Sequence, residues 1–131
     1  MLDKEKLFDL AREYQKKAYV PYSKFRVGAA VYTADERYFG GCNIESASFG
    51  ATNCAERVAI QNAISSDAKK IMAIAVIGDA PETYPCGICR QVIKEFGREA
   101  KVFVLTEGDE VLEYSIDELL PHAFTGDDLH V

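Results

Sequence analysis

The sequence predicts a three-layer α/β/α sandwich built around a mixed sheet of about five strands. Two observations support this prediction. Helical and strand patterns follow one another in the order α-β-β-α-β-α-β-β, and residues 71–77 form an unbroken apolar run between turns. Such a run is typical of a central strand covered on both faces. The length of 131 residues, 48% of them apolar and 27% charged, fits a single domain over residues 1–131.

The first predicted element is an amphipathic helix from Asp3 to about Ala18. Its apolar stripe consists of Leu7, Leu10, Ala11, Tyr14 and Ala18. Asp3 suits the N-cap position, and Pro21 ends the helical pattern.

A strand pair follows, with strands predicted at residues 27–32 and 38–42. Within the first strand, Gly28, Ala29 and Ala30 are poor strand formers, so we expect another element to pack closely against it.

Helices and strands alternate through the rest of the chain. They are predicted at 53–64 (helix), 71–77 (strand), 86–96 (helix), 101–105 and 111–114 (strands), and a short capped helix at Ser115-x-x-Glu118.

Three of the four cysteines have the spacing of zinc ligands. Cys86 and Cys89 lie one helical turn apart directly after Pro85, which suits a helix start, and Cys54 begins its own predicted helix. Helix N-termini lower thiol pKa values, and the thiolate is the form that binds zinc. Three protein ligands leave the fourth tetrahedral position open, which is typical of a catalytic zinc rather than a structural one.

A carboxylate and two arginines accompany these cysteines. Glu56 follows Cys54 by two residues, and Cys-x-Glu with Pro-Cys-x-x-Cys matches the zinc nucleobase deaminase signature, in which the glutamate carries protons. Taken alone, Glu56 would equally suit a capping box with Asn53. Arg57 is the first candidate to donate hydrogen bonds to the thiolates, and Arg90 the second.

Two structural alternatives remain open for the cysteines. They could form a redox pair, or a closed zinc site in which Cys42 turns inward as fourth ligand. His122 and His130 lie in the C-terminal tail, so Cys42 is the candidate for that position, although a buried strand thiol is the simpler interpretation.

The charge argues against a nucleic-acid partner. The net charge is −6, and no lysine or arginine cluster stands out. The N-terminus carries no apolar signal core, and no apolar stretch is long enough for a membrane span. We therefore expect a cytoplasmic protein acting on a small, uncharged molecule.

Beyond the metal motif, the chain resembles the small homotetrameric cytidine deaminases. The resemblance covers nearly the whole length, and it is carried by residues 19–30, 41–45, 52–57, 85–92 and 118–124. It implies one zinc ion per chain, a homotetramer with sites at subunit interfaces, and hydrolytic deamination of cytidine or 2'-deoxycytidine to the uridine in pyrimidine salvage.

The resemblance also implies roles for individual residues. Phe25 would stack on the pyrimidine, Asn43 and Glu45 would hold the ribose hydroxyls, and Phe124 would reach a neighbouring subunit's site. Asn43 and Glu45 are two residues apart on an extended segment, so their side chains should point the same way. We further expect backbone groups around Ala55 to hold the edge of the base.

Four positions depart from the family pattern: Ser46, Phe49, Ile88 and His122 stand where asparagine, tyrosine, alanine and glycine are common. The alternative function is deamination of another aminopyrimidine, such as a blasticidin-type antibiotic or a nucleotide. Asn43-x-Glu45 favours a nucleoside, because a glutamate near the sugar would repel a phosphate.

Overall fold

A computed structural model describes residues 1–129 of the chain, and His130 lies outside the described residues. The elements are α1 (Lys4–Gln15), β1 (Val27–Thr33), β2 (Tyr38–Cys42), α2 (Ala55–Ser65), β3 (Ile71–Gly78), α3 (Gly87–Phe96), β4 (Lys101–Leu105), β5 (Val111–Ser115) and α4 (Ile116–Leu119). The predicted order of helices and strands is confirmed. The capped helix is confirmed as well, since Ser115 and Glu118 form a reciprocal capping box at the start of α4.

The five strands form one mixed sheet in the order β2-β1-β3-β4-β5. Only the β3–β4 pair is parallel among the described strands, and the other three pairs are antiparallel. The predicted five-stranded mixed sheet is therefore confirmed.

Two hydrophobic cores lie on opposite faces of this sheet. On β1, Ala29 and Val31 face the core that includes α2 and α3, whereas Ala30 and Tyr32 face the core that includes α1. The same alternation occurs on β3, because successive side chains of a strand point to opposite faces. The result is the predicted three-layer α/β/α arrangement, with the apolar β3 covered on both faces.

The topology brings several chain segments to one edge of the sheet. β2 and β3 both run antiparallel to β1, so they run parallel to each other. The carboxyl ends of β2 and β3 therefore lie at the same edge as the amino end of β1. α2 follows β2 in the sequence and α3 follows β3, so both helices have their N-termini at this edge.

The first helix ends three residues earlier than the sequence predicts. Past Gln15 the α-helical hydrogen-bond pattern ends. The amides of Lys17 and Ala18 donate instead to the carbonyls three positions earlier, those of Tyr14 and Gln15. Tyr19 then joins the segment after β2, its amide bonding the Asn43 carbonyl at 3.0 Å. Pairing with a neighbouring segment therefore replaces the last helical turn.

Two glycines allow helices to approach the sheet closely. A Cβ at Gly28 would lie 2.0 Å from the Ala11 carbonyl oxygen of α1, and one at Gly41 would lie 2.3 Å from the Ala59 nitrogen of α2. Both neighbours are backbone atoms, which cannot move aside without displacing a helix. The close packing expected around Gly28 is confirmed.

No helix within residues 1–129 is long and apolar enough to cross a membrane.

Replacing Gly28 by alanine should lower the free energy of unfolding by about 3 kcal/mol, because the added methyl collides with the α1 backbone. Urea denaturation followed by circular dichroism measures the change. Gly108→Ala is the matched control, since no described atom lies within 4 Å of a Cβ there. We expect the control to shift stability by less than about 0.5 kcal/mol. Equal stability of the two variants would contradict the packing described for β1 and α1.

Candidate functional site

Three thiols converge where α2 and α3 begin. Cys54 is the N-cap of α2, Cys86 is the N-cap of α3, and Cys89 lies in the first turn of α3. The Sγ atoms of Cys54 and Cys86 are 3.9 Å apart, those of Cys86 and Cys89 are 3.5 Å apart, and all three lie within 4.8 Å of one another. Tetrahedral zinc with sulfur at about 2.3 Å needs sulfur atoms about 3.8 Å apart. The three thiols therefore fit one zinc ion.

The start of α2 explains how Cys54 reaches this position. The sequence predicts a helix that begins at Asn53, but the amide and carbonyl of Asn53 pair with Ile44, at 2.9 and 3.0 Å. The helix consequently starts two residues later, with Cys54 in extended conformation as its N-cap. The capping box considered for Asn53 and Glu56 does not form within the described residues, because Cys54 holds the cap position and the Asn53 amide bonds Ile44.

Cys42 lies on the opposite face of the sheet from this cluster. It pairs directly with Gly28, whose missing side chain would point at α1, and residues directly opposite in an antiparallel pair share a face. Among the described residues Cys42 is not part of the thiol cluster, so the closed four-cysteine site is not formed. It is 8% exposed, and burial raises the pKa of its thiol, as expected for a strand thiol in a core.

Arg57 adjoins the first of the three thiols. Its Nη2 donates to the Cys54 sulfur and to the Thr52 carbonyl, both at 3.4 Å. The pKa of Cys54 falls to about 5, chiefly because the Cys89 thiol donates a hydrogen bond to it and further because of Arg57. The pKa of Cys89 is raised, mainly by that same hydrogen bond. Of the two thiols Cys54 and Cys89, Cys54 is therefore the more readily ionised.

Arg90 contacts backbone carbonyls rather than thiols. Its Nε donates to the Pro85 carbonyl at 2.8 Å, and its Nη1 donates to the Leu119 carbonyl at 2.9 Å. Arg90 therefore braces the peptide that precedes Cys86 against α4. The sequence expectation of a second arginine on the thiolates has no support in these contacts.

Glu56 is a buried carboxyl in the first turn of α2. It is 4% exposed, and burial raises its pKa to about 7, with the nearby charge of Cys54 adding to the rise. A carboxyl whose pKa lies near neutral pH can both accept and donate a proton under working conditions. This property fits the proton-carrying role expected for Glu56.

A cavity of about 250 Å³ opens beside the thiols, close to the lower end of the range for small-molecule sites. Of the residues singled out in the sequence, it is lined by Phe25, Asn43, Cys54, Ala55, Glu56 and Cys86. Thr83 and Tyr84 also line it, and sequence reasoning missed both. Their only sequence signal is their position directly before Pro85 and Cys86.

Asn43 and Glu45 both bind the backbone of the segment that carries Phe25. The Asn43 side chain accepts from the Val27 amide and donates to the Phe25 carbonyl, each at 2.9 Å. Glu45 accepts from the amides of Tyr22 and Ser23 at 3.0 and 3.1 Å. The Ser23 hydroxyl also donates to Glu45 and is the main reason that the pKa of this carboxyl is lowered. The two side chains face the same segment, and their hydrogen bonds stabilise the backbone on either side of Phe25.

Glu45 and Phe124 lie outside the 250 Å³ cavity. Glu45 lines a neighbouring apolar cavity of about 420 Å³ together with Tyr22 and Phe49. Phe124 is 58% exposed, and its carbonyl is held by Gln91 Nε2 at 2.7 Å. Within the described chain, Phe124 does not line the cavity beside the thiols.

Comparison with known protein families finds a match to the part of the chain that contains the three thiols. Residues 1–106 match the family described as the cytidine and deoxycytidylate deaminase zinc-binding region. The chain belongs to this family.

Individual relatives agree with this membership. A cytidine deaminase of Sporosarcina psychrophila is 44% identical over 131 residues, covering 98% of this chain and 96% of the relative. The crystal structure of a cytidine deaminase from Burkholderia pseudomallei superposes with a TM-score of 0.86 at 41% identity, covering 94% of this chain and all of that one. A blasticidin-S deaminase of Bacillus cereus is more distant, at 29% identity over 112 residues and 79% of each chain.

Family membership and geometry together assign the cofactor. The matched region is a zinc-binding one, and the three thiols with metal-ligand spacing lie inside it. The protein therefore has a site for one zinc ion per chain.

We expect Cys54→Ser, Cys86→Ser and Cys89→Ser each to lose bound zinc, because each removes one of three ligands. Cys42→Ser is the matched control and should keep about one zinc ion per chain, since its side chain faces α1. Metal analysis of dialysed protein measures both results. Zinc loss from the Cys42→Ser variant would instead favour a closed structural zinc site with Cys42 as the fourth ligand.

Proposed function

We propose that this protein is a zinc-dependent cytidine deaminase, which hydrolyses cytidine and 2'-deoxycytidine to uridine and 2'-deoxyuridine with release of ammonia. The observation that carries the proposal is the placement of Glu56, a buried carboxyl with a pKa near neutral pH, two residues after the zinc ligand Cys54 and in a cavity that an aromatic ring also lines. The cytidine deaminases at 41 and 44% identity support the choice of substrate.

Cys54, Cys86 and Cys89 would hold the zinc, which when bound lowers the pKa of a coordinated water molecule. Three thiolates leave the centre negatively charged, which weakens this effect. Arg57 offsets part of that charge by its hydrogen bond to Cys54. Positive charge beside the ligand sulfur is the contribution expected of a residue that supports a metal ligand.

Glu56 moves the protons of the reaction. Its pKa of about 7 lets it take a proton from the attacking water and deliver it to N3 of the pyrimidine. Phe25 stacks on the base, and backbone groups around Ala55 hold the base edge. Asn43 and Glu45 complete the sugar site while also bonding the backbone of residues 22–27.

Incubation of the zinc-loaded protein with cytidine should produce uridine. The loss of ultraviolet absorbance as cytidine is converted measures this reaction. Glu56→Gln should keep its zinc and lose about 10²- to 10⁴-fold in kcat, because the amide cannot carry a proton. Turnover retained by the zinc-loaded Glu56→Gln variant would overturn the assignment of the proton carrier. No turnover by zinc-loaded wild-type protein would redirect the search to other aminopyrimidines, beginning with blasticidin S.

Nucleosides should be preferred to nucleotides. The lowered pKa of Glu45 keeps its carboxylate negative at neutral pH, and like charges brought together cost several kcal/mol. We expect kcat/KM for cytidine to exceed that for cytidine 5'-monophosphate by about 100-fold or more. Glu45→Gln should narrow that ratio, and an unchanged ratio would exclude Glu45 as its cause.

The proposal includes a single-domain subunit that assembles into a homotetramer in the cytoplasm, with sites at the subunit interfaces. Exposed apolar side chains support assembly, and they lie around residues 22–27 (the Phe25 segment), at the start of α3 and on the C-terminal tail. They are Tyr19, Tyr22, Ile44, Phe49, Ile88 and Phe124. Phe49 is 78% exposed, and large apolar surface of this kind favours burial against another chain.

Mixed assemblies test whether Phe124 acts on a neighbouring subunit. Phe124→Ala should raise KM for cytidine, and Glu56→Gln should lower kcat about 10²- to 10⁴-fold. In a co-expressed mixture of the two variants, some sites combine an intact Glu56 with an intact Phe124 from the partner. Recovery of a wild-type KM component in the mixture supports the arrangement. A KM that stays at the Phe124→Ala value would place Phe124 on its own subunit's site or outside it.

A further inference from the structure

The Phe25 segment is held from two sides before it enters β1. On one side, the Asn43 side chain bonds the Phe25 carbonyl and the Val27 amide. On the other side, the Arg26 amide donates to Asp79 Oδ2 at 2.7 Å, and the Arg26 carbonyl accepts from Gln15 Nε2 at 3.3 Å. Alternate residues of an extended segment present their backbone groups to opposite sides, so the two sets of contacts do not compete.

Asp79 is well placed to transmit rigidity to this segment. It directly follows β3, the central strand, and Gln15 Nε2 also donates to its Oδ1 at 3.3 Å. The residue before it, Gly78, pairs with Val27, and a Cβ there would lie 2.9 Å from Cε1 of Phe25. The Phe25 ring therefore packs over the end of β3, while Asp79, directly after that strand, binds the amide of the residue that follows Phe25.

Two interactions link Asp79 to Arg26, and they differ in importance. The guanidinium bonds the carboxylate at 3.1 and 3.3 Å, but the Arg26 side chain is 52% exposed, and exposed ion pairs contribute little. The 2.7 Å bond to the backbone amide is a charge-assisted hydrogen bond to a peptide adjoining Phe25. This bond to the amide is also shorter than either bond to the guanidinium, and the Asp79 side chain that accepts it is 26% exposed.

We propose that Asp79 is a positioning residue for substrate binding, which sets the Phe25 ring through the Arg26 amide. The inference rests on the proposed function, in which Phe25 stacks on the pyrimidine. The nearest zinc ligand in the sequence, Cys86, lies seven positions away, and the hydrogen bonds of the Asp79 side chain go to residues 15 and 26. Its loss should therefore weaken nucleoside binding and leave the chemical step and the metal unchanged.

The first test compares variants of the two partners in the zinc-loaded enzyme. Loss of an aromatic stack weakens binding by roughly 5- to 150-fold, so Asp79→Ala, which loosens the ring without removing it, should raise KM for cytidine about tenfold. kcat and zinc content should stay within about twofold. Asp79→Asn keeps an oxygen for the Arg26 amide and should restore a KM close to that of wild type. Arg26→Ala removes the ion pair alone and should change KM less than Asp79→Ala does.

Asp35→Ala is the matched control. Asp35 likewise accepts from a neighbouring arginine, Arg37 Nε at 2.7 Å, and from the Thr33 hydroxyl, but it lies at the opposite end of β1. A general loss of stability should appear in both Asp→Ala variants as lower active fraction, whereas the rise in KM should be confined to Asp79→Ala. The inhibition constant of uridine, measured in the same assay, should rise with KM, because it reports binding without turnover.

A double-mutant cycle decides whether Asp79 acts through Phe25. In a Phe25→Ala background, Asp79→Ala should raise KM by less than about twofold, since the ring it positions is gone. Additive effects on KM would overturn the inference, as would an unchanged KM in Asp79→Ala or equal effects of Asp79→Ala and Arg26→Ala. Wild-type protein without cytidine turnover would instead overturn the proposed function, and this inference with it. The wild-type assay therefore separates the two failures.

Discussion

The parallel direction of β2 and β3 is the constraint on which the rest of this structure depends. Both strands run antiparallel to β1, so their carboxyl ends meet at one edge of the sheet. The helices that follow them start at that edge, with Cys54 at one N-terminus and Cys86 at the other. Residues 32 positions apart thereby come within 3.9 Å through their sulfur atoms. Phe25 reaches the same edge because β1 begins there.

Close backbone packing turns this topology into a defined geometry. Gly28 and Gly41 let α1 and α2 approach the sheet more closely than any side chain would permit. Since α2 cannot slide on such a surface without a backbone collision, the position of Cys54 and Glu56 relative to β2 is set by packing. The burial that results also raises the pKa of Glu56, so the same contacts that order the site adjust its proton chemistry.

Several polar side chains at this edge serve the fold and the site together. Asn43, Glu45 and Asp79 all accept hydrogen bonds from backbone amides within residues 22–27. Buried or half-buried carboxylates and amides need such partners, because leaving them unpaired is costly. The segment that carries Phe25 is thus held by side chains whose own hydrogen-bonding groups are paired within the protein. These hydrogen bonds explain how a loop before β1, without regular secondary structure, can hold an aromatic ring in one place.

The sequence by itself determined the element order, the mixed five-stranded sheet, the thiol cluster and the role expected of Glu56. These features depend on short-range patterns: apolar periodicity, a Pro-Cys-x-x-Cys turn and a glutamate two residues after a cysteine. Only the tertiary structure decided that Cys42 faces α1, that Arg90 bonds carbonyls, that α2 begins at Ala55, and that Asp79 holds the Arg26 amide. Each of these depends on strand register or on contacts between residues distant in sequence, such as the 53 positions between Arg26 and Asp79. A one-residue change of register moves every side chain of a strand to the other face of the sheet, and the register is fixed by the turn and by which face is buried once the strands pair.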